Sequence, residues 1–134
     1  MRVVFDTNVL LSSTLWDGSV AQKLLFELIN SDYVILSSLP IIAEYQKVLK
    51  RDFEYSDEDI VKTMEKVLSF ITIIKPTKKV DIVKEEPEDN KIVECALASK
   101  SSYIITYDNH LLKFGKIGET EIITPEWALK ILLN

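Results

Sequence analysis

Cysteine and histidine are nearly absent from this sequence of 134 residues, which contains one of each. Cys95 has no second cysteine with which to form an intramolecular disulfide, and no Cys/His cluster that could hold zinc is present. The single His110 likewise excludes a multi-histidine metal site. Glycine and proline are also scarce, with 3 and 4 residues, which excludes the collagen-like and low-complexity classes.

Long apolar runs are absent as well, and the longest is far too short to cross a membrane. The N-terminus has no apolar signal region and begins directly with a strand-like segment. We therefore expect a cytoplasmic protein that does not bind membranes and works in a reducing compartment. The length predicts one domain over residues 1–134.

Short β-branched runs alternate with longer amphipathic segments along the chain. The predicted strands are Arg2–Asp6, Tyr33–Ser37, Phe70–Ile74, Tyr103–Thr106 and Glu121–Ile123. The predicted helices are Ser19–Asn30, Leu39–Arg51, Ser56–Leu68, Glu88–Lys100 and Trp127–Leu133. This alternation predicts an α/β fold with a mostly parallel sheet, covered on both faces, whose site lies at the carboxyl ends of the strands.

Two aspartates stand at the carboxyl ends of predicted strands. Asp6 ends the first strand, and Asp108 comes just past the fourth. If both strands are central and parallel, the two carboxylates are near neighbours. Each aspartate fits equally well as the N-cap of a following helix.

Two further acids interrupt the apolar stripes of their predicted helices. Glu44 lies between Ile41 and Val48 at helical spacing, and Asp89 stands one turn before Ile92. Both positions also have simpler interpretations. Glu44 fits a core-edge residue that reaches solvent, and Asp89 fits a first-turn acid favoured by the helix dipole.

Four carboxylates at one edge of a sheet repel one another unless cations are present. Oxygen ligands without histidine or cysteine suit a hard cation, Mg²⁺ or Mn²⁺. Such a site is matched to phosphodiester hydrolysis, in which the metal activates water and stabilises charge on the phosphate and the leaving oxygen. Asn8, Thr7 and Thr106 would orient the ligands through hydrogen bonds.

The overall charge, −5 with a pI near 4.9, argues against tight nonspecific binding of phosphates. Setting the four site acids aside leaves a nearly neutral remainder with local basic patches. The basic residues in these patches are Lys47, Lys50, Arg51, Lys78, Lys79, Lys113 and Lys116. Each fits a phosphate contact or an ordinary surface residue equally well. Glu85, Glu86 and Glu88 are interpreted as a solvated acidic loop.

Four motifs, in order along the chain, resemble those of PIN domains. They are Phe5-Asp6-Thr7-Asn8-Val9-Leu10, Glu44 about forty residues later, Pro87-Glu88-Asp89-Asn90-Lys91-Ile92-Val93-Glu94-Cys95-Ala96, and Ile104-Ile105-Thr106-Tyr107-Asp108-Asn109-His110-Leu111-Leu112. Each motif alone is weak, but four in the same order are specific and extend over essentially the whole chain. The sequence most resembles the VapC-like ribonuclease toxins of prokaryotic toxin–antitoxin systems.

The resemblance implies a three-layer α/β/α sandwich and an endoribonuclease that depends on Mg²⁺ or Mn²⁺. It implies an RNA substrate, an inhibitory antitoxin and a homodimer or higher assembly. The metal-binding and catalytic acids would be Asp6, Glu44, Asp89 and Asp108, with Asn8, Thr106 and Glu94 at supporting positions. Glu94 lies about 140° round the helix from Asp89, which disfavours a direct ligand role.

The fourth motif departs from the family pattern at two positions. Tyr107 replaces a small residue, and His110 replaces a second acid. His110 would weaken the metal set if that acid is a ligand; other roles are proton donor, phosphate contact or packing at a helix start. Tyr107 could narrow access to the site or stack on a base. Together with Lys47, these two residues are the candidate substrate contacts.

Two other classes of function remain open at this point. The His110 departure favours a PIN-like module that binds RNA or a protein with weak or no catalysis. The other class is a phosphate-handling α/β enzyme. A haloacid-dehalogenase-type phosphatase needs Asp-x-Asp after the first strand, and Asp6-Thr7-Asn8 lacks the second acid. No glycine-rich nucleotide-binding motif is present, which disfavours a nucleotide-binding enzyme. Leu15 and Trp16 could line a dimer or antitoxin groove, or belong to the core.

Overall fold

The computed structural model describes residues 1–133. Its strands are β1 (Arg2–Phe5), β2 (Val34–Ser38), β3 (Ile71–Ile74), β4 (Tyr103–Ile105), β5 (Lys116–Ile117) and β6 (Thr120–Ile123). Its helices are α1 (Thr7–Leu15), α2 (Val20–Ile29), α3 (Leu39–Asp52), α4 (Asp57–Leu68), α5 (Asn90–Ser99), α6 (Asn109–Leu112) and α7 (Pro125–Leu132), with a 3₁₀ turn over Pro87–Asp89. In the described range, no helix has both the length and the apolar character that a membrane span needs.

The strands form one mixed sheet in the order β3-β2-β1-β4-β6-β5. All neighbours are parallel except β5 and β6, which form an antiparallel edge. From the central β1 the chain first builds towards β3 and then returns to add β4 on the other side. The order of the sheet therefore reverses between β1 and β4, and open α/β sheets bind their ligands at such a reversal.

Alternate residues of the strands face two separate cores. Val3 and Phe5 of β1 pack on one face with α1, α2, α3, α4 and α7. Val4, the residue between them, packs on the opposite face with α5 and α6. This division confirms the predicted α/β sandwich with a mostly parallel sheet.

All five predicted strands and five predicted helices occur, with ends that shift by one or two residues. The continuous helix predicted over Glu88–Lys100 is wrong at its start, where the 3₁₀ turn at Pro87–Asp89 precedes α5. Helix α1 was not predicted, because its residues are buried on several sides and show no single apolar stripe. Strand β5 and helix α6 were not predicted either, because segments of two and four residues are too short to show a hydrophobic periodicity.

Asn90 fixes the long segment that follows β3 against α5. Its Oδ1 accepts hydrogen bonds from the backbone N–H groups of Ile82 (3.0 Å) and Val83 (2.9 Å). Its Nδ2 donates to the carbonyl oxygens of Val83 (3.3 Å) and Pro87 (3.1 Å). One buried amide therefore positions the acidic turn that leads into α5.

Asn90→Ala should lower the free energy of unfolding by about 3 kcal/mol, because two backbone donors lose their acceptor in a buried setting. Urea denaturation measures this change. Asn109→Ala, at an exposed position, is the matched control and should leave stability nearly unchanged. A loss below about 0.5 kcal/mol for Asn90→Ala would show that the segment is held by other contacts.

Candidate functional site

Asp6 and Asp108 lie at the carboxyl ends of the neighbouring strands β1 and β4, and each caps the helix that follows. An Asp6 Oδ1 atom accepts a hydrogen bond from the Val9 N–H at 2.8 Å. Asp108 Oδ1 accepts from the His110 N–H at 2.8 Å. The capping interpretation and the shared-edge interpretation of these aspartates are therefore both correct.

Thr106 links the two aspartates. The Thr106 hydroxyl donates to Asp6 Oδ2, and Thr106 Oγ1 accepts a hydrogen bond from the Asp108 N–H at 2.9 Å. Thr106 is fully buried, so these contacts are shielded from water. They fix the direction in which both carboxylates leave the sheet.

Glu44 reaches the same edge from α3. The hydroxyl of Thr7 donates to its Oε1, and the ammonium of Lys91 on α5 lies 3.1 Å from its Oε2. The side chain of Lys91 is only 14% exposed. A nearly buried cation thus balances one of the site's carboxylates.

These acids surround one cavity of about 280 Å³. Most of its lining groups are carboxylates, and among the described residues Arg51 is the only basic side chain that lines it. The lining residues are Asp6, Thr7, Asn8, Glu44, Val48, Arg51, Glu86, Glu88, Asp89, Ile92 and Asp108. The sheet reversal therefore brings all four sequence-predicted acids to one pocket.

Burial raises the pKa of the Asp6 carboxyl from 3.8 to about 6. The hydrogen bonds from Thr106 and Val9 act in the opposite direction, and the charges of Asp108 and Glu44 add to the increase. The ionised form of Asp6 is thus disfavoured by its surroundings until a positive charge is supplied.

The pKa values of the neighbouring Asp89 and Asp108 carboxyls are shifted in opposite directions. Burial, together with the adjacent Asp108 carboxylate, raises the pKa of Asp89 to about 8. Burial would also raise the pKa of Asp108, but the neighbouring Asp89 and the His110 N–H outweigh it, so the pKa is lowered. At neutral pH the pair holds about one proton, which a metal would displace.

The donor set fits a hard divalent cation. Asp89, Asp108 and His110 each offer one ligand atom, and these atoms lie within 4.8 Å of one another. Oδ2 of Asp89 is buried and has no hydrogen-bond partner among the described residues. A buried carboxylate oxygen without a donor is expected to bind a cation when one is supplied.

His110 lies between two carboxylates. Its Nδ1 is 3.3 Å from Asp108 Oδ1, and its Nε2 is 3.5 Å from Glu85 Oε2. Lys113 also pairs with Glu85, so His110 lies beside an ion pair. The helix-packing interpretation of His110 is therefore incomplete, because its ring is directed to the acids.

Five sequence-predicted residues in the described range do not line this cavity. Thr106 and His110 contact its acids, Asp6 and Asp108, whereas the other three make no such contact. Glu94 accepts a hydrogen bond from the Val80 N–H at 2.9 Å and lines a different cavity. Lys47 is exposed on α3. Tyr107 is 46% exposed, and its hydroxyl donates to Glu126 Oε2 at 2.9 Å.

Sequence reasoning missed three residues at or beside the cavity. Glu86 and Glu88 line it, although they were interpreted as part of a solvated loop. Arg51, one of the basic residues interpreted as a phosphate contact or an ordinary surface residue, lines it as well. The third missed residue, Lys91, pairs with Glu44. The sequence position of Lys91 could have pointed to the site, because it lies only two residues after Asp89 at the start of the same predicted helix.

Lys91→Gln should raise the affinity for Mn²⁺ about fivefold, because the ammonium competes with the metal for Glu44 and repels it. Isothermal titration calorimetry measures this affinity. Lys50→Gln, which removes an exposed ion pair with Asp57, is the control and should change it little. Weaker Mn²⁺ binding by Lys91→Gln would instead mean that the lysine is needed to hold Glu44 in place.

Comparisons with known proteins agree with this fold. A family model described as a PIN domain matches residues 2–110. No curated protein matches the sequence significantly. Among solved structures, the fold is similar to a chain in the crystal structure of VapBC2 from Rickettsia felis bound to a DNA fragment from their promoter. That likeness has a TM-score of 0.68 and 17% identity, and it covers 92% of this chain and 98% of the other. The family match extends over most of the chain, and the protein therefore belongs to the PIN domain family.

Proposed function

We propose that this PIN domain is a divalent-cation-dependent endoribonuclease and the toxin of a toxin–antitoxin pair. The observation that carries the proposal is the convergence of Asp6, Glu44, Asp89 and Asp108 on one cavity at the sheet reversal. A cavity with this density of carboxylates binds cations, and its oxygen donors match Mg²⁺ or Mn²⁺.

The four carboxylates would hold the cation, and His110 lies close enough to Asp89 and Asp108 to join them. When bound, Mg²⁺ or Mn²⁺ would supply activation of water and stabilisation of the charge that develops on the phosphate. Thr7 and Thr106 orient Glu44 and Asp6 through their hydroxyls.

The other polar residues at the opening of the acidic cavity would bind the RNA. Arg51 lines the cavity and offers a guanidinium to a phosphate next to the scissile one. Asn8 is exposed at the same opening and can donate to a phosphate or a 2′-hydroxyl. Lys47 and Tyr107 lie further out, where they would contact the strand beyond the reacting phosphate.

The toxin assignment rests on the likeness to VapBC2, whose structure contains DNA from its promoter. An antitoxin would be the protein partner, and a homodimer would be the assembly. Trp16 is 49% exposed and packs edge-on against Phe53, with 5.8 Å between ring centroids. This aromatic pair is a suitable contact for either partner, whereas Leu15 packs against the core.

RNA cleavage tests the proposal. Purified protein should cut single-stranded RNA in Mn²⁺ or Mg²⁺ and leave 3′-hydroxyl and 5′-phosphate ends, which end-labelling distinguishes from 2′,3′-cyclic phosphates. Asp89→Asn should lower the rate at least about 100-fold, since it removes a proposed ligand. Asp81→Asn, at an exposed position, should leave the rate unchanged.

A binding module without catalysis is the second candidate, and the histidine in place of a second acid favours it. It predicts RNA or protein binding that survives Asp89→Asn, with no cleavage in any divalent metal. Cleavage that yields cyclic phosphates without metal would contradict both candidates.

A further inference from the structure

A second cavity, of about 360 Å³, lies beside the acidic one and differs from it in chemistry. Its walls are mostly apolar and are surrounded by lysines. The lining residues are Ser38, Leu39, Pro40, Ile73, Ile74, Lys75, Pro76, Lys78, Lys79, Lys91 and Glu94. The proposed chemistry does not use this cavity, which we call the lysine-rimmed cavity.

Charge changes sign between the two cavities. The acidic cavity has six carboxylates and one arginine in its lining, whereas the lysine-rimmed cavity has four lysines and one glutamate. Glu94 lies 4.0 Å from Lys79 and also holds the Val80 N–H. In the described part of the chain, Lys75 and Lys78 have no carboxylate within ion-pair distance. The rim therefore carries positive charge that the protein itself does not neutralise.

Lys91 connects the lysine-rimmed cavity to Glu44, which lines the acidic cavity. Its ammonium contacts Glu44 at 3.1 Å in the acidic site, and the residue also lines the lysine-rimmed cavity. The two cavities are therefore adjacent, and a polymer with one phosphate at the acidic site can reach the second cavity. The hydrogen bond from the Val80 N–H to the Glu94 carboxylate holds the lysine-bearing segment against α5.

We propose that the lysine-rimmed cavity binds one nucleotide unit of single-stranded RNA, next to the phosphate that is cut. The apolar surfaces of Leu39, Pro40 and Ile73 would contact a base, and Lys75 and Lys78 would contact its phosphate. A base paired in a duplex is not available for such a contact, so the cavity selects single strands. This inference rests on the proposed ribonuclease function and names how that site takes its substrate.

Methyl NMR tests the inference on the full chain without any divalent cation. The δ1-methyl signals of Ile73 and Ile74 report on the cavity, and that of Ile122, in the core below the sheet, is the internal control. We expect uridine and adenosine 5′-monophosphates to shift the Ile73 and Ile74 signals saturably, while inorganic phosphate leaves them in place. Unchanged signals with both nucleotides, or equal shifts with inorganic phosphate, would overturn the inference.

Matched charge variants sharpen the test. Lys75→Gln/Lys78→Gln should weaken the nucleotide response at least about fivefold, because it removes two phosphate contacts. Lys62→Gln/Lys66→Gln removes two lysines from α4, away from this cavity, and should leave the response unchanged. Equal weakening by both variants would overturn the inference. An acidic apolar peptide that shifts the Ile73 and Ile74 signals when the nucleotides do not would identify a protein-docking surface instead.

The test separates this inference from the proposed function. Nucleotide binding is measured without metal, so a protein that never cuts RNA can still show it. A protein that cuts RNA but shows no nucleotide shift would keep the proposed function and lose the nucleotide site.

Discussion

Asp6→Asn is expected to stabilise the metal-free protein and to abolish its response to Mn²⁺. Asp6 is 6% exposed, and burial raises its pKa from 3.8 to about 6, which corresponds to about 3 kcal/mol against the ionised form. In the variant, the asparagine side chain makes weaker hydrogen bonds with Val9 and Thr106 than the aspartate does, which offsets part of the gain in stability. We therefore expect the Tm at pH 8 to rise by about 5 °C without metal.

Mn²⁺ at 100 times its Kd should stabilise the wild type by about 2.7 kcal/mol and the variant by almost nothing. Differential scanning fluorimetry with and without Mn²⁺ measures both effects. Asp32→Asn, an exposed position on the opposite end of the sheet from the site, is the control and should behave like the wild type. A variant that melts lower than the wild type and still gains from Mn²⁺ would show that Asp6 has only a capping role.

The affinity for Mn²⁺ is expected to rise about tenfold per pH unit between pH 6 and 8. Over this range the pKa of Asp89, raised to about 8 by burial and by Asp108, keeps a proton in the site that the metal must displace. Below pH 6 the raised pKa of Asp6 adds a second proton, so the dependence should become steeper. Isothermal titration calorimetry at several pH values measures the slope.

The stability of the metal-free protein should change with pH in the opposite direction. Both pKa values are raised above the 3.8 of an unperturbed aspartate, so between about pH 4 and 8 the folded state binds more protons than the unfolded state. The free energy of unfolding therefore falls as pH rises through this window. Above pH 6, Asp89→Asn should make both the Mn²⁺ affinity and the free energy of unfolding less dependent on pH. A Mn²⁺ affinity that does not change with pH would contradict a proton held by Asp89 and Asp108.

Much of the fold was predictable because the sheet is buried on both faces. Strands such as β1 and β4 consist almost entirely of buried apolar residues, and the helices between them show a clear period. Helix α1 was missed for the opposite reason, since it has apolar residues on several sides. The ends of α5 depend on how Asn90 holds a distant segment, which no local pattern encodes.

Four of the six acids that line the acidic cavity were predicted, because each stands where a carboxylate is uncommon. Asp6 and Asp108 end apolar strands, and Glu44 interrupts an apolar stripe. The residues that adjust the site were harder to find, because their roles arise from contacts between distant segments. Lys91 meets Glu44 across 47 positions, and Glu94 turned out to hold the Val80 backbone in a separate cavity.

The most direct test of the metal centre is to measure bound Mn²⁺ by electron paramagnetic resonance at pH 8. Wild type, Asp108→Asn and Asp81→Asn would be titrated side by side, with Asp81 as an exposed control away from the acidic cavity. We expect saturable binding by the wild type and Asp81→Asn, and binding at least about tenfold weaker by Asp108→Asn. Equal Mn²⁺ binding by all three proteins would contradict a metal centre built on these carboxylates.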